Sequence, residues 1–214
     1  MHPIDCPQWE YRDHPDAPKK LPRRVVTLLS NLKSGASDPK LTATDTRKSH
    51  LSMFAGLTPP GCDYYAGHYR GESLRCLEYC RVGVQGDPTV GIPPESVEGA
   101  TRDLSAIVQT CINGLDAGYQ LPDAHLDKKL KVAYTIAVAC RLFTRFLEIH
   151  PYVNGNGHAA RLLVVCILGR YGYWPYRWTV EPRPPDPPHT ELIKQYRQGN
   201  TQPLETYIKS CLVP

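Results

Sequence analysis

Hydrophobic residues recur every three or four positions through the second half of the chain, a spacing that is typical of amphipathic helices. The longest such helix is predicted over residues 122–150, where Val132, Ile136 and Phe143 belong to one buried face. The next helix, predicted over residues 157–172, is apolar almost all round, which places it in the middle of a helical bundle.

Prolines and glycines divide the rest of the chain into shorter segments. We expect residues 1–21 to form an irregular N-terminal arm, because prolines interrupt it repeatedly. Between these prolines and glycines, short runs with hydrophobic residues at helical spacing predict further helices. They lie over residues 22–35, 42–57, from the prolines at 93–94 to Gly118, and, as two amphipathic helices, over about residues 189–212.

The segment 64–92 differs from its surroundings, because it is rich in glycine, tyrosine and valine. Tyrosine and valine are enriched in strands, and the sequence Gln-Gly-Asp-Pro near the end of the segment is a turn signal. We therefore predict extended chain in this segment, including a β-hairpin.

The length of 214 residues suits a single domain, over 22–214 after the arm, and the 41% of hydrophobic residues suffices for a core. A net charge of +4 is too small to indicate nucleic-acid binding by itself. The longest apolar run is too short to span a bilayer, and the polar opening of the chain does not resemble a secretory leader. We expect a protein that is cytoplasmic where it is made, with no membrane or nucleic-acid partner; later secretion or injection as an effector is left open.

The eight cysteines are scattered, and no Cys-x-x-Cys pair occurs among them. Cys76 and Cys80 lie four residues apart with His68 upstream, but no second ligand pair stands nearby, so a zinc site is not favoured. We expect all of these thiols to be reduced, as is usual for cysteines in a cytoplasmic protein.

A glycine-rich junction separates the longest predicted helix from the most apolar one. Pro151 disfavours helical backbone at His150, so the longest helix ends there. Glycines allow the backbone to turn with positive φ, and successive amides at a helix start form a concave anion site that the helix dipole strengthens. Gly155, Asn156 and Gly157 are therefore a candidate phosphate-binding loop.

Two further side chains lie next to this loop. His150 can take up a proton near neutral pH, which makes it a candidate general base. Arg161 lies about one helical turn after Gly157, from where it can reach back to a bound anion. A base, backbone amides and an arginine together fit phosphoryl or nucleotidyl transfer. The alternative is that His150 caps its own helix and Arg161 forms a structural salt bridge.

Residues 150–161 read His-Pro-Tyr-Val-Asn-Gly-Asn-Gly-His-Ala-Ala-Arg, which resembles the Fic domain signature His-Pro-Phe-x-(Asp/Glu)-Gly-Asn-Gly-Arg-x-x-Arg. The residues in register are His150, Pro151, the aromatic Tyr152, Gly155, Asn156, Gly157 and Arg161. The resemblance extends over about residues 25–175. It implies a mainly α fold, a Fic-like helical bundle with a β-hairpin flap beside the active site.

Fic proteins typically transfer a nucleoside monophosphate, usually AMP from ATP, to a hydroxyl of a target protein, and the resemblance implies this activity here. His150 would deprotonate a Ser, Thr or Tyr hydroxyl, while the glycine-rich loop and Arg161 would hold the phosphates of ATP or another nucleoside triphosphate. The flap would pair with an extended segment of the protein substrate. Its candidate contact residues are Tyr69, Arg70, Val82 and Val84.

Two positions depart from the signature. Asn154 stands where the family has the acidic residue that holds Mg²⁺, so its uncharged amide oxygen is a weakened metal ligand. His158 replaces the first arginine, and as a candidate phosphate-binding residue it is shorter and mostly neutral at pH 7. These changes fit an enzyme retuned for a donor other than ATP, and equally a catalytically impaired module that binds a nucleotide or a protein.

Fic proteins are often inhibited by a helix with the motif (Ser/Thr)-x-x-x-Glu-(Gly/Asn). Glu98 and Gly99 lack the required hydroxyl residue at position 94, which is proline, and Thr206 follows Glu205 where the motif needs Gly or Asn. Neither segment fits, so a separate inhibitory protein is left open as a partner.

Overall fold

The computed structural model describes residues 6–84 and 87–213, and these residues form a mainly helical structure, as the sequence predicts. The described residues contain eight α-helices: α1 (Ala17–Lys33), α2 (Pro39–Thr44), α3 (Arg47–Phe54), α4 (Pro94–Gln120), α5 (Lys128–Ile149), α6 (Asn156–Arg170), α7 (His189–Arg197) and α8 (Gln202–Ser210).

The helix α6 forms the centre of the bundle. Its residues from His158 to Gly169 are all buried, and α5 and α2 pack against it, while α4 packs against α5. This arrangement confirms the prediction that the most apolar helix lies in the middle, because only a helix surrounded by others can bury its whole circumference. Among the described residues, no helix is both long and apolar enough to cross a membrane.

The first helix begins at Ala17, five residues before the predicted start at Pro22, so the expected irregular arm is helical at its end. Pro18 occupies the first turn, where a missing N–H leaves no intrahelical bond unmade. Pro22 lies inside the helix and removes one backbone hydrogen bond. Burial of its neighbours Leu21 and Val25, each 2% exposed, offsets that loss.

The single helix predicted over 42–57 is in fact two helices, α2 and α3, separated at Asp45. Asp45 has extended backbone, and its carboxylate accepts a hydrogen bond from the N–H of Arg47 at 3.0 Å. A side chain that bonds the local backbone in this way competes with helix continuation. The resulting turn lets α3 carry His50 and Phe54 to the loop that precedes α6.

The β-hairpin predicted within residues 64–92 is wrong for the described part of that segment; residues 85 and 86, in the predicted turn, lie outside the described residues. The N–H of Gly91 donates to the carbonyl oxygen of Glu148 in α5 at 2.9 Å, so this backbone bonds to a helix end instead of a partner strand. In the described part of this segment, regular structure is limited to two 3-10 turns and one isolated bridge: Asp63–Tyr65, Arg75–Leu77, and Val84 with Asp87.

Cys6 and Cys76 form a disulfide, with their Cα atoms 5.6 Å apart. The expectation that all eight cysteines are reduced is therefore wrong. The bond joins positions 70 residues apart, a pairing that cysteine spacing along a sequence does not reveal. Because disulfides are typical of oxidising compartments, the cysteines no longer support a cytoplasmic location.

Candidate functional site

A cavity of about 1300 Å³ lies where α5 ends and α6 begins. Its walls include His150, residues 153–158 and Arg161, together with residues 6–13 of the N-terminal arm. Positive charge predominates in the lining, where five arginines face two carboxylates: Arg12, Arg75, Arg81, Arg161 and Arg183, with Glu10 and Asp13. This excess of positive charge favours an anionic ligand.

His150 is the C-cap of α5, and its backbone is left-handed with φ 54°, a conformation that is uncommon for a residue other than glycine. Its Nδ1 lies 3.1 Å from the carbonyl oxygen of Leu147. Because a carbonyl can only accept, Nδ1 carries the proton and Nε2 keeps its lone pair. Burial, together with the positive charges of Arg70 and Arg197, lowers the pKa of His150 to about 4, so Nε2 is unprotonated at neutral pH.

Arg70 holds the C-terminal end of α5. Its side chain is only 1% exposed, and it donates to the carbonyl oxygens of His150 at 2.6 Å and Ile149 at 2.8 Å. Its backbone N–H donates to the carbonyl oxygen of Pro151 at 2.8 Å. The last carbonyls of a helix carry partial negative charge, so a cation at this point is stabilising. A buried arginine cannot meet an incoming protein, and Arg70 is a positioning residue instead of the predicted target contact.

The other residues predicted to lie on a flap are divided by the structure. Val82 and Val84 line the cavity, and Val84 is 43% exposed. Tyr69 packs away from it, with its ring centroid 5.1 Å from that of Tyr152. Since the described residues form no strand here, the predicted addition of a target strand has no structural basis.

The loop between α5 and α6 is closed by its own contacts. The side chain of Asn156 accepts from the N–H of Tyr152 and donates to its carbonyl oxygen, both at 2.8 Å. Gly155 has φ 77°, and a Cβ at this position would overlap the ring of Phe54 and lie 2.8 Å from Nε2 of His50. The loop therefore needs glycine for its conformation and for space. The Asn156 side chain is hydrogen-bonded within the loop, so only the backbone N–H of Asn156 is left to bind a ligand.

Asn154, the predicted weak metal ligand, is occupied by protein contacts. Its Oδ1 accepts a hydrogen bond from the N–H of Gly155 at 2.6 Å, and its Nδ2 donates to the carbonyl oxygen of Trp9 at 2.7 Å. An uncharged oxygen that already accepts a hydrogen bond is a poor ligand for Mg²⁺, which prefers carboxylates and phosphate oxygens. The donor set at this position therefore does not fit a metal held by the protein.

Two amides remain available at the start of α6. The N–H groups of His158 and Ala159 both donate to the carbonyl oxygen of Gly155, at 3.0 and 3.1 Å. The described residues supply no acceptor for the N–H groups of Asn156 and Gly157. These two donors, with the positive end of the helix dipole, form the part of the predicted phosphate-binding loop that can bind an anion.

Arg161 lies beside these amides. Its side chain is 4% exposed, and Nε and Nη2 donate to the carbonyl oxygen of Val180 at 3.0 and 2.8 Å. Its third nitrogen, Nη1, lies against Gly157, 2.9 Å from where a Cβ would stand. No carboxylate of the described residues approaches Arg161 within 4.0 Å, so the structural salt bridge considered above is not formed. Burial lowers the pKa of Arg161 to about 10, and a bound anion would relieve that cost.

His158 is directed to a carboxylate of the protein. Its Nε2 lies 2.6 Å from Oε2 of Glu181, and the imidazole is packed edge-on against Tyr11 and Phe54. Burial lowers the pKa of His158, and the hydrogen bond from His158 lowers the pKa of Glu181. The pair is therefore a neutral imidazole that donates to a carboxylate, and Nε2 of His158 is taken up by that contact.

Sequence reasoning missed the residues that support the loop from a distance. His50 accepts from the N–H of Gly67 at 3.0 Å, donates to the carbonyl oxygen of Asn154 at 2.9 Å, and stacks on Tyr152 with centroids 3.7 Å apart. Burial lowers the pKa of His50 to about 3, consistent with this neutral bridging role. Nothing in its local sequence marks His50 as a support of the loop, because its loop partners Tyr152 and Asn154 are more than 100 residues away.

Comparison with known proteins supports part of the resemblance. No protein-family model matches the chain. A stretch of 67 residues is 31% identical to the protein adenylyltransferases Fic of Drosophila virilis and Drosophila melanogaster, and 30% identical to that of Drosophila grimshawi. The stretch is 31% of this chain and 13% of each of these proteins, so the chain covers about an eighth of their length. This similarity indicates a Fic-related relationship for part of the chain.

Proposed function

We propose that the chain is a nucleotidyltransferase that moves a nucleoside monophosphate, of the AMP type, from a nucleoside triphosphate to a hydroxyl side chain of a target protein. One observation carries the proposal: the neutral imidazole of His150, whose Nε2 is unprotonated, and the buried guanidinium of Arg161 line the same cavity. The amides of Asn156 and Gly157 lie between them in sequence, at the start of α6. This combination supplies a proton acceptor and an anion site for one bound ligand.

The proposed step is a displacement at the α-phosphorus. Nε2 of His150 takes the proton of the target Ser, Thr or Tyr hydroxyl as its oxygen attacks phosphorus. The new P–O bond forms while the bond to the oxygen that bridges the α- and β-phosphates breaks, and pyrophosphate leaves with that electron pair. The amides of Asn156 and Gly157, together with Arg161, stabilise the negative charge on the phosphate oxygens. No part of this step relies on Asn154 as a metal ligand.

A labelling experiment tests the proposal. The protein is incubated with each labelled nucleoside triphosphate in turn, alone and with lysate proteins, and added mass is measured. We expect one donor to label a protein, and His150→Ala to abolish that labelling. His125→Ala is the matched control, because His125 is exposed in the turn before α5. Absence of labelling with every donor, or full labelling by His150→Ala, would contradict the proposal. The panel also tests whether the donor is a nucleotide other than ATP.

A second candidate function is a module that binds a nucleotide or a protein without transferring anything. The contacts of His158 with Glu181 and of Asn154 with Trp9 favour it, since both side chains are engaged within the protein. Calorimetry that detects nucleotide binding without turnover would support this alternative. Labelling that occurs only after Asn154→Asp is combined with His158→Arg would identify the native chain as such a module.

A further inference from the structure

A second pair of side chains that can contact an anion lines the cavity on its α7 side. Arg183 and His189 both line the cavity. His189 is the first residue of α7 and is only 2% exposed. Its Nδ1 is buried and has no hydrogen-bond partner among the described residues. Buried polar atoms without partners are rare, and each calls for an explanation.

The contacts of His189 determine where its proton lies. A proton on Nδ1 would be a buried donor without an acceptor, which costs about 1–3 kcal/mol. The neutral imidazole therefore carries its proton on Nε2, the nitrogen left to donate to a ligand in the cavity that His189 lines. The ring is held in place by Trp178 and Phe143, with centroids 5.4 and 6.0 Å away.

Arg183 is fixed next to His189. Its Nη2 donates to Oδ2 of Asp186 at 2.8 Å and to Oγ1 of Thr190 at 2.7 Å, and Thr190 follows His189 in α7. These contacts occupy one nitrogen of the guanidinium and orient the remainder. Asp186 offsets part of the charge of Arg183, but Arg183 keeps further N–H donors that a phosphate can use in a two-pronged contact.

Trp178 connects His189 to Arg161. The indole N–H of Trp178 donates to the backbone carbonyl oxygen of Arg161 at 3.2 Å, while its ring packs on His189. Arg161 and His189, which both line the cavity, therefore share Trp178 as a neighbour and form one wall of the cavity together with the residues around them. The cavity volume of about 1300 Å³ exceeds what a single phosphate group needs, so a ligand with several phosphates can extend along this wall.

We propose that Arg183 and His189 form a second anion subsite, which binds the terminal phosphate of a nucleoside triphosphate whose inner phosphate lies at the start of α6. The identity of the ligand as a nucleotide rests on the proposed function. The subsite makes the protein selective for nucleoside triphosphates over monophosphates, because only the longer anion can contact both the start of α6 and the pair Arg183 and His189.

Calorimetry with a nucleoside triphosphate and the matching monophosphate tests this proposal. We expect the wild-type protein to bind the triphosphate more tightly, by at least about tenfold, the effect of one charge-assisted contact. Arg183→Gln and His189→Phe should each weaken triphosphate binding about tenfold and leave monophosphate binding unchanged. Arg102→Gln, at an exposed position on α4, is the matched control. Equal affinities for the two nucleotides, or equal losses for both in the variants, would overturn the subsite.

Tripolyphosphate, as a second probe, separates the subsite from the proposed function. Binding of tripolyphosphate that weakens in Arg183→Gln supports the subsite even if no nucleotide binds and the proposed function fails. If neither probe binds the wild-type protein, both proposals are overturned. Thermal unfolding of each variant shows whether it is folded, and His189→Gln, which keeps an N–H donor, should retain more affinity than His189→Phe.

Discussion

Nε of Arg70 lies 2.6 Å from the carbonyl oxygen of His150, a contact between residues 80 positions apart in the chain. The same guanidinium donates to the carbonyl oxygen of Ile149, so one buried cation binds the last carbonyl of α5 and the carbonyl of its C-cap. The position of the candidate base is therefore set by a residue from a segment without regular secondary structure. This relationship makes the geometry of His150 sensitive to a change outside the cavity.

Replacing Arg70 with methionine tests this dependence. Arg70→Met leaves the helix-end carbonyls buried without donors, so we expect the free energy of unfolding to fall by about 3 kcal/mol and labelling to fall with it. Urea unfolding measures the first effect. Arg102→Met is the control, because Arg102 is 74% exposed and its ion pair with Glu98 spans 4.0 Å. Equal stability of the two variants would show that Arg70 does not hold the helix end.

Local signals in the sequence were sufficient to predict most helices and the position of the glycine-rich turn between α5 and α6. The periodicity of α5 and α6 and the glycines at 155 and 157 depend on neighbouring residues alone, so they could be read from the chain. The support of the loop could not, because His50 and Trp9 reach Asn154 across more than 100 residues. Such contacts exist only once the helices have packed.

The β-hairpin prediction failed for a related reason. Valine and tyrosine favour strands when a partner strand is available, and their propensity reflects packing more than backbone preference. In this segment the long-range partners are the C-terminal end of α5, to which Arg70 donates hydrogen bonds, and Cys6, which forms a disulfide with Cys76. Long-range contacts therefore override the local preference for extended chain.

Gly155→Ala tests the shape of the loop. The positive φ of 77° and the approach of Phe54 and His50 both oppose a Cβ, so we expect a loss of about 2 kcal/mol in stability and weaker nucleotide binding. Gly114→Ala is the control of opposite sign. A Cβ at Gly114, inside α4, meets nothing within 4 Å, and the change should raise stability by about 0.5–1 kcal/mol. A stable Gly155→Ala variant that binds nucleotide normally would contradict the described loop.

Removing the disulfide tests the attachment of the N-terminal arm. Cys6→Ser with Cys76→Ser opens a link across 70 residues, and we expect the free energy of unfolding to fall by about 2–4 kcal/mol. Cys111→Ser, which changes a free thiol on α4, should leave stability nearly unchanged. Denaturant unfolding of both proteins is the measurement. If a reducing agent does not shift the wild-type midpoint, the bond between Cys6 and Cys76 is not formed in solution.

Stability should depend on pH through the buried histidines. Burial lowers the pKa of His50 to about 3 and of His150 and His189 to about 4, below their ordinary value of 6.5. As the pH falls below 6.5, these histidines therefore bind protons in the unfolded chain but stay neutral in the folded chain. The contribution of these histidines to stability is fully present above pH 6.5. It is lost progressively as the pH falls towards 4 for His150 and His189, and towards 3 for His50.

The urea midpoint measured between pH 7 and pH 5 reports this loss, since most carboxylates stay ionised over that range. His189→Gln, which cannot titrate, should reduce the slope of stability against pH. His125→Gln, at an exposed position in the turn before α5, is the matched control. A midpoint that does not change between pH 7 and pH 5 would contradict the neutral, buried state of these histidines.

Nitrogen NMR of the His150 imidazole, with and without a nucleoside triphosphate, tests most directly whether His150 faces a bound polyphosphate. In the protein alone we expect the proton on Nδ1, as the contact with Leu147 requires, and titration near pH 4. Addition of the nucleotide should raise the pKa of His150, by about one unit or more, because phosphate charge favours the imidazolium. A proton on Nε2 in the protein alone, or a titration that saturating nucleotide leaves unchanged, would contradict the role of His150 as the base.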